Sequence, residues 1–81
     1  MSKKKINTAV IGATGYTGLD LVFLLSKHPY VNIKHLCATK KLGKKITFFD
    51  KRIKIKLPNI SSVKKIKWDK IDLVFLSLPD G

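Results

Sequence analysis

The sequence predicts an α/β fold, a partial parallel sheet with one well-defined crossover helix, from three observations. A short apolar, β-branched run at residues 6–11 leads into glycines at 12, 15 and 18. An apolar segment of helical length follows and stops at Pro29. Two further apolar runs, at 32–38 and 71–78, have the length of buried strands.

Residues 1–5 are a polar lead-in, and 6–11 read as a central strand buried on both faces. The lysines at 3–5 and the apolar run behind them are not a secretory signal, because glycines interrupt the run. Residues 15–28 form the helix. Leu19, Leu21, Val22, Phe23, Leu24 and Leu25 make it apolar almost all round, which predicts that in the complete protein another element packs on Phe23 or its neighbours. Asp20 suits the positive end of the helix, Lys27 and His28 suit the negative end, and Pro29 terminates it.

Residues 32–38 complete a strand–helix–strand unit, expected to be right-handed. Residues 39–50 form a loop, with Ile46, Phe48 and Phe49 as a local cluster or a short helical turn. Lysine alternates with Ile53, Ile55 and Leu57 over 51–57, so this segment reads as a half-solvated edge strand ended by Pro58. Residues 60–70 fit no single pattern. Residues 71–78 read as a second buried parallel strand beside the first, with its end at the same crevice as Gly12.

The chain has 81 residues. A domain this short buries only about 60–65% of its unfolded surface, whereas a sheet covered on both faces needs roughly 150 residues. Residues 1–81 are therefore expected to be an incomplete dinucleotide-binding domain, with the substrate and catalytic domain outside the chain.

The net charge is +12. All 17 basic residues but Arg52 are lysines, spread along the chain. Phosphate and groove recognition lean on the arginine fork, so no nucleic-acid partner is expected. A single cysteine excludes an internal disulfide and fits a reducing cytoplasm. No apolar run reaches the length of a membrane span.

The three glycines stand where a strand turns into a helix, a Rossmann-like layout in the variant spacing G-x-x-G-x-x-G. Gly12 permits the tight turn, Gly15 lets backbone approach a pyrophosphate, and Gly18 lets the helix pack close to the strand. Thr14 and Thr17 add hydroxyls that cap the helix or touch a phosphate, and Tyr16 stands at the mouth of the crevice. No Gly-Lys-Ser/Thr follows, which disfavours a P-loop.

An acid that binds the ribose is expected about 20 residues beyond such a turn. The second strand instead ends in Cys37-Ala38-Thr39-Lys40-Lys41. Thr39 with Lys40 or Lys41 suits a 2′-phosphate, which argues for NADP. Cys37 reads as a packed thiol, His28 and His35 have no partners at catalytic spacing, and no metal motif or catalytic set emerges.

The run from Val10 to Gly18, then Leu19 to Leu25 and His28-Pro29, closely resembles the opening of the N-acetyl-gamma-glutamyl-phosphate reductases, of the semialdehyde dehydrogenase family. Gly43-Lys44-Lys45-Ile46 is similar to that family's stretch after its second strand, and Leu76-Ser77-Leu78-Pro79-Asp80-Gly81 to its strand and turn at the cofactor crevice. The resemblance implies cofactor contacts from Ser77, Leu78 and Pro79. It implies an oxidoreductase of arginine biosynthesis that reduces N-acetyl-glutamyl phosphate to the semialdehyde with NADPH, releasing phosphate, and that is a homo-oligomer when complete. It further implies a cysteine thiolate that forms a thioester and a histidine acid–base group, neither matched in this chain.

Three positions depart from the family pattern. Asp80 replaces a histidine, Asp20 a glutamate, and Lys40 or Lys41 the arginine that meets the 2′-phosphate. Without a catalytic pair the chain is expected to show no turnover. The competing reading is a non-enzymatic nucleotide- or polyanion-binding fragment.

Overall fold

The structure is a computed structural model and describes residues 5–77. Its elements are β1 (Ile6–Ile11), α1 (Tyr16–Ser26), β2 (Val31–Cys37), β3 (Ile60–Ser61) and β4 (Leu73–Leu76), with 3-10 turns at Ile46–Phe48, Val63–Lys65 and Trp68–Lys70. The four strands form one parallel sheet in the order β3-β2-β1-β4.

β1 is central because its sequence suits burial on both faces. Thr8, Ala9 and Val10 are fully buried, and the Thr8 hydroxyl is satisfied by donating to the Ile6 carbonyl at 3.2 Å. Val10, Ile33 and Leu36 face α1 and pack with Val22, Ile46, Ile53 and Ile60. On the other side Ala9 and Cys37 pack with Ile66, flanked by Ile11, Ile71 and Val74. The start of β4 is clamped to β1 at both backbone groups of Asn7: its N–H donates to Asp72 Oδ2 at 2.9 Å, and its carbonyl accepts from Asp72 N–H at 2.8 Å.

The strand expected at 51–57 does not form. Asp50 Oδ1 accepts from Arg52 N–H at 3.0 Å and holds a turn there, a side-chain–backbone bond that competes with extended pairing. Ile53 is buried in the core, but Ile55 is exposed, and Pro58 offers no ladder donor. The edge is Ile60–Ser61 instead, in register with Leu36 and Cys37. The alternation reflects Ile53 seated in the core and half-buried Leu57 packed against it, without a strand.

β4 lies beside β1 as expected, but it is not buried on both faces. Leu73 and Leu76 are exposed, and Val74 and Phe75 half-buried, because β4 pairs on one side only, as an edge of the described sheet. Within the chain the Arg52 guanidinium stacks 4.5 Å from the Phe23 ring centroid and Lys27 Nζ lies at 4.8 Å. Asp20 lies past the first turn and serves this clamp, accepting from Arg52 Nη2 at 2.7 Å.

Arg52 also donates through its side chain to Asp50. Those bonds, and then the backbone bond, hold the Asp50 carboxyl below the ordinary carboxylate range. A depressed folded value stabilises the fold above the ordinary pKa of about 4. That contribution is lost as pH falls from there through Asp50's folded value. Arg52→Met is expected to return Asp50 to the ordinary range in a carboxyl-detected NMR titration. An unchanged Asp50 midpoint in the variant would count against the clamp.

Candidate functional site

The C-terminal ends of β1, β2 and β4 converge at the N-terminus of α1. Gly12 and Ala13 N–H both donate to the Cys37 carbonyl, at 2.8 and 3.0 Å, tying the turn after β1 to the end of β2. Ser77 N–H donates to the Ile11 carbonyl at 2.8 Å and brings the end of β4 to the other side. Two of the glycines are required by this packing. Gly12 has φ +84°, and a Cβ there would overlap the Ser77 carbonyl oxygen. A Cβ on Gly18 would overlap the Gly12 carbonyl oxygen and stand 3.0 Å from Ala13 Cα.

Gly15 differs. It is the N-cap of α1 with φ −75° and ψ 167°, a conformation open to any residue. Among the described residues, an added Cβ would meet only the Gly12 carbonyl oxygen, at 3.8 Å. Among the described residues neither strain nor crowding calls for glycine here. Among the described residues no side chain caps the helix, so Thr14 and Thr17 do not take the capping role that was one of their two expected uses. The first amides of α1 and its positive dipole end are left to meet an anion.

A cleft of about 830 Å³ opens in front of this end. Gly12, Thr14, Gly15, Tyr16 and Thr17 form one wall, with Ser77 on the β4 side and Thr39 on the β2 side. Tyr16 is 93% exposed, so it rims the mouth and is not packed for structural reasons. Gly18 is buried under the helix and does not line the cleft. Lys40 and Lys41 are exposed on the loop after Thr39 and are not among the lining residues. Leu78 and Pro79, expected at the cofactor, and Asp80 lie outside the described residues.

Sequence reasoning missed Leu42, Ser62, Val63 and Lys64, which complete the far wall. The misplaced edge strand hid them. With the third strand at 51–57 the segment after Ile60 has no fixed place; with it at Ile60–Ser61 that segment leaves the sheet at the cleft. A serine two residues before an amide it can cap was the available signal: Ser62 Oγ accepts from Lys64 N–H at 3.2 Å.

Cys37 is fully buried and burial pushes its thiol pKa up, the reverse of what a nucleophile needs. His35 Nε2 accepts from Lys67 N–H at 3.4 Å. Burial first, then the charges of Lys67 and Lys34, push its imidazole pKa down. Among the described residues, no cluster of three or more His, Cys, Asp or Glu side chains is placed to hold a metal ion, and no helix is long and apolar enough to cross a membrane.

Residues 7–81 match the family model of the semialdehyde dehydrogenase NAD-binding domain. The chain belongs to that family. Two N-acetyl-gamma-glutamyl-phosphate reductases are similar to it over most of its length, at 48% identity in Ehrlichia chaffeensis and 44% in Ehrlichia ruminantium. Each alignment covers 95% of the chain and 23% of the relative. The chain thus spans about a quarter of the length of these curated relatives. A crystal structure of aspartate semialdehyde dehydrogenase with NADP from Candida albicans superimposes with a TM-score of 0.71 at 28% identity, over 94% of the chain and 24% of that enzyme. As a semialdehyde dehydrogenase NAD-binding domain, the chain has a Rossmann-like sheet whose glycine turn lies at the cleft.

Proposed function

We propose that this domain is the NADPH-binding portion of an enzyme that reduces N-acetyl-glutamyl phosphate to the semialdehyde, with release of phosphate, in arginine biosynthesis. The observation that carries the cofactor reading is Gly15. It places the uncapped end of α1 behind open cleft space and is otherwise unexplained by the fold. The names of the two reductases support the reaction. The preference for the phosphorylated cofactor is supported by the end of β2, which carries Ala38, Thr39 and two lysines in place of a ribose-binding acid.

The bound cofactor supplies the hydride. The chain's own residues supply its binding: the α1 amides hold the pyrophosphate, Thr14 and Thr17 offer hydroxyls to it, and Gly12 and Gly18 hold the turn in place. The complete enzyme takes its nucleophile and acid–base group from outside these 81 residues, and acts as a cytoplasmic homo-oligomer. The chain alone is expected to bind NADPH saturably, followed by fluorescence, and not to oxidise it when N-acetyl-glutamyl phosphate is added. Robust oxidation would contradict this division of labour.

A polyanion-binding reading has one observation in its favour. Lys34, Lys67 and Lys70 gather with His35 and Asn7 around a hollow away from the glycine turn.

A further inference from the structure

We infer that the hollow formed by Asn7, Lys34, His35, Lys67 and Lys70 is a second binding site, for a tetrahedral dianion of the phosphate class, free or at the end of a monoester. It lies away from the glycine turn and rests on no part of the cofactor reading. It takes the cations of the polyanion reading and assigns them one small ligand.

The backbone gathers these side chains from three segments. In β2, Ile33 pairs with Thr8 and His35 with Ala9, which leaves Lys34 as an extra residue. Neighbours in a regular strand point to opposite faces; across this bulge Lys34 and His35 line the same hollow. Lys67 and Lys70 stand three apart, which places them on one side of a 3-10 turn. Lys70 N–H closes that turn on the Lys67 carbonyl at 2.9 Å. Ile66, buried against Ala9 and Cys37, anchors the turn to the sheet, and Lys67 N–H ties it to His35 Nε2 at 3.4 Å.

The side chains around the hollow offer donors and no open acceptor. Asn7 Oδ1 is occupied by Asn32 Nδ2 at 3.1 Å, which leaves the Asn7 amide nitrogen to donate. The Lys67 bond takes up His35 Nε2, so the proton of the neutral ring is on Nδ1, a second donor. Lys34, Lys67 and Lys70 are exposed, and among the described residues none of them pairs with a carboxylate. Asp72 is committed to the Asn7 N–H, and Asp69, although in the turn, does not line the hollow. Three cations and two neutral donors suit the acceptor-only oxygens of a dianion. The lysines converge on one hollow instead of tracking a backbone, which favours a single phosphate over a polymer.

The test titrates the chain with inorganic phosphate, against sodium chloride at matched ionic strength, and follows the amides and the His35 imidazole by NMR. Saturable shifts at His35, Lys67 and Lys70 are expected with phosphate and not with chloride. After burial, the charges of Lys67 and Lys34 hold the imidazole pKa down. A dianion offsets those charges, so the His35 midpoint is expected to rise in saturating sulfate, which keeps its double charge over the range. Lys70→Met is expected to weaken phosphate about tenfold, the loss of one charge-assisted contact. Lys54→Met, at an exposed lysine outside the hollow, is expected to leave it unchanged. Methyl phosphate separates the sources: tighter binding than phosphate assigns the site to a monoester, weaker binding to the free anion. Equal loss in the two variants overturns the inference, as does an unmoved His35 midpoint in saturating sulfate. Salt-sensitive binding of long-chain polyphosphate without saturable binding of phosphate also overturns it, and leaves the polyanion reading standing.

Discussion

Gly18→Ala is expected to destabilise the chain by about 2 kcal/mol, against the direction that helix propensity gives. In an exposed helix interior, alanine in place of glycine stabilises by about 1 kcal/mol. Gly18 is buried in α1, and the new Cβ would overlap the Gly12 carbonyl oxygen and crowd Ala13 Cα. Both obstacles are backbone atoms of the glycine turn, which is itself tied to β2 through the Cys37 carbonyl. They cannot yield as a flexible side chain does, so α1 must lift off β1 and give up packing of Val22 against Val10 and Leu36. Overpacking of this kind costs about 1–3 kcal/mol. For a domain of this size a loss of about 2 kcal/mol lowers the melting temperature by roughly 8–16 °C. A thermal melt that stays level or rises would show that α1 does not sit against the turn as described.

Gly15→Ser is expected to do the opposite: to leave stability level or a few tenths of a kcal/mol higher, and to weaken NADPH binding at least about tenfold. Serine is a better N-cap than glycine by a few tenths of a kcal/mol, and the φ and ψ of Gly15 suit it without strain. Its hydroxyl would take the amides at the start of α1, and its Cβ would occupy cleft space that is empty of described neighbours closer than 3.8 Å. The groups that hold a pyrophosphate would then be partly spent on the chain itself. Binding titrations and a melt on the same preparation separate the two effects. A variant that melts as expected but binds NADPH as before would mean that the helix end is not the anion site.

The turn at Gly12 and the close packing at Gly18 were legible in the sequence because each answers a local demand that the spacing after a strand exposes. β1, α1 and β2 were legible for a similar reason, since apolar runs bounded by glycine and proline carry their own limits. The edge was not. Residues 51–57 alternate as a strand does, but a carboxylate two residues before Arg52 turned the backbone, and Ile53 is buried in the core with half-buried Leu57 packed against it while Ile55 is exposed. Ile60–Ser61 is a two-residue strand, too short for any periodicity, and is fixed by long-range pairing with Leu36 and Cys37. The site inherited that error. Thr39 with Lys40 or Lys41 was read as suiting a 2′-phosphate because they follow β2 in sequence, whereas Lys64 lines the cleft through pairing that sequence does not display. The clamp of Arg52 on Phe23, Asp20 and Asp50 was equally hidden, since its partners lie up to 32 residues apart.

Amide chemical shifts of the chain titrated with NADPH test the central claim most directly. Saturable shifts centred on Gly15, Tyr16 and Thr17, extending to Thr39 and Val63, are the expected result. Shifts centred instead on Lys34, His35, Lys67 and Lys70, and abolished by moderate salt, would contradict it and move the ligand site to the basic hollow.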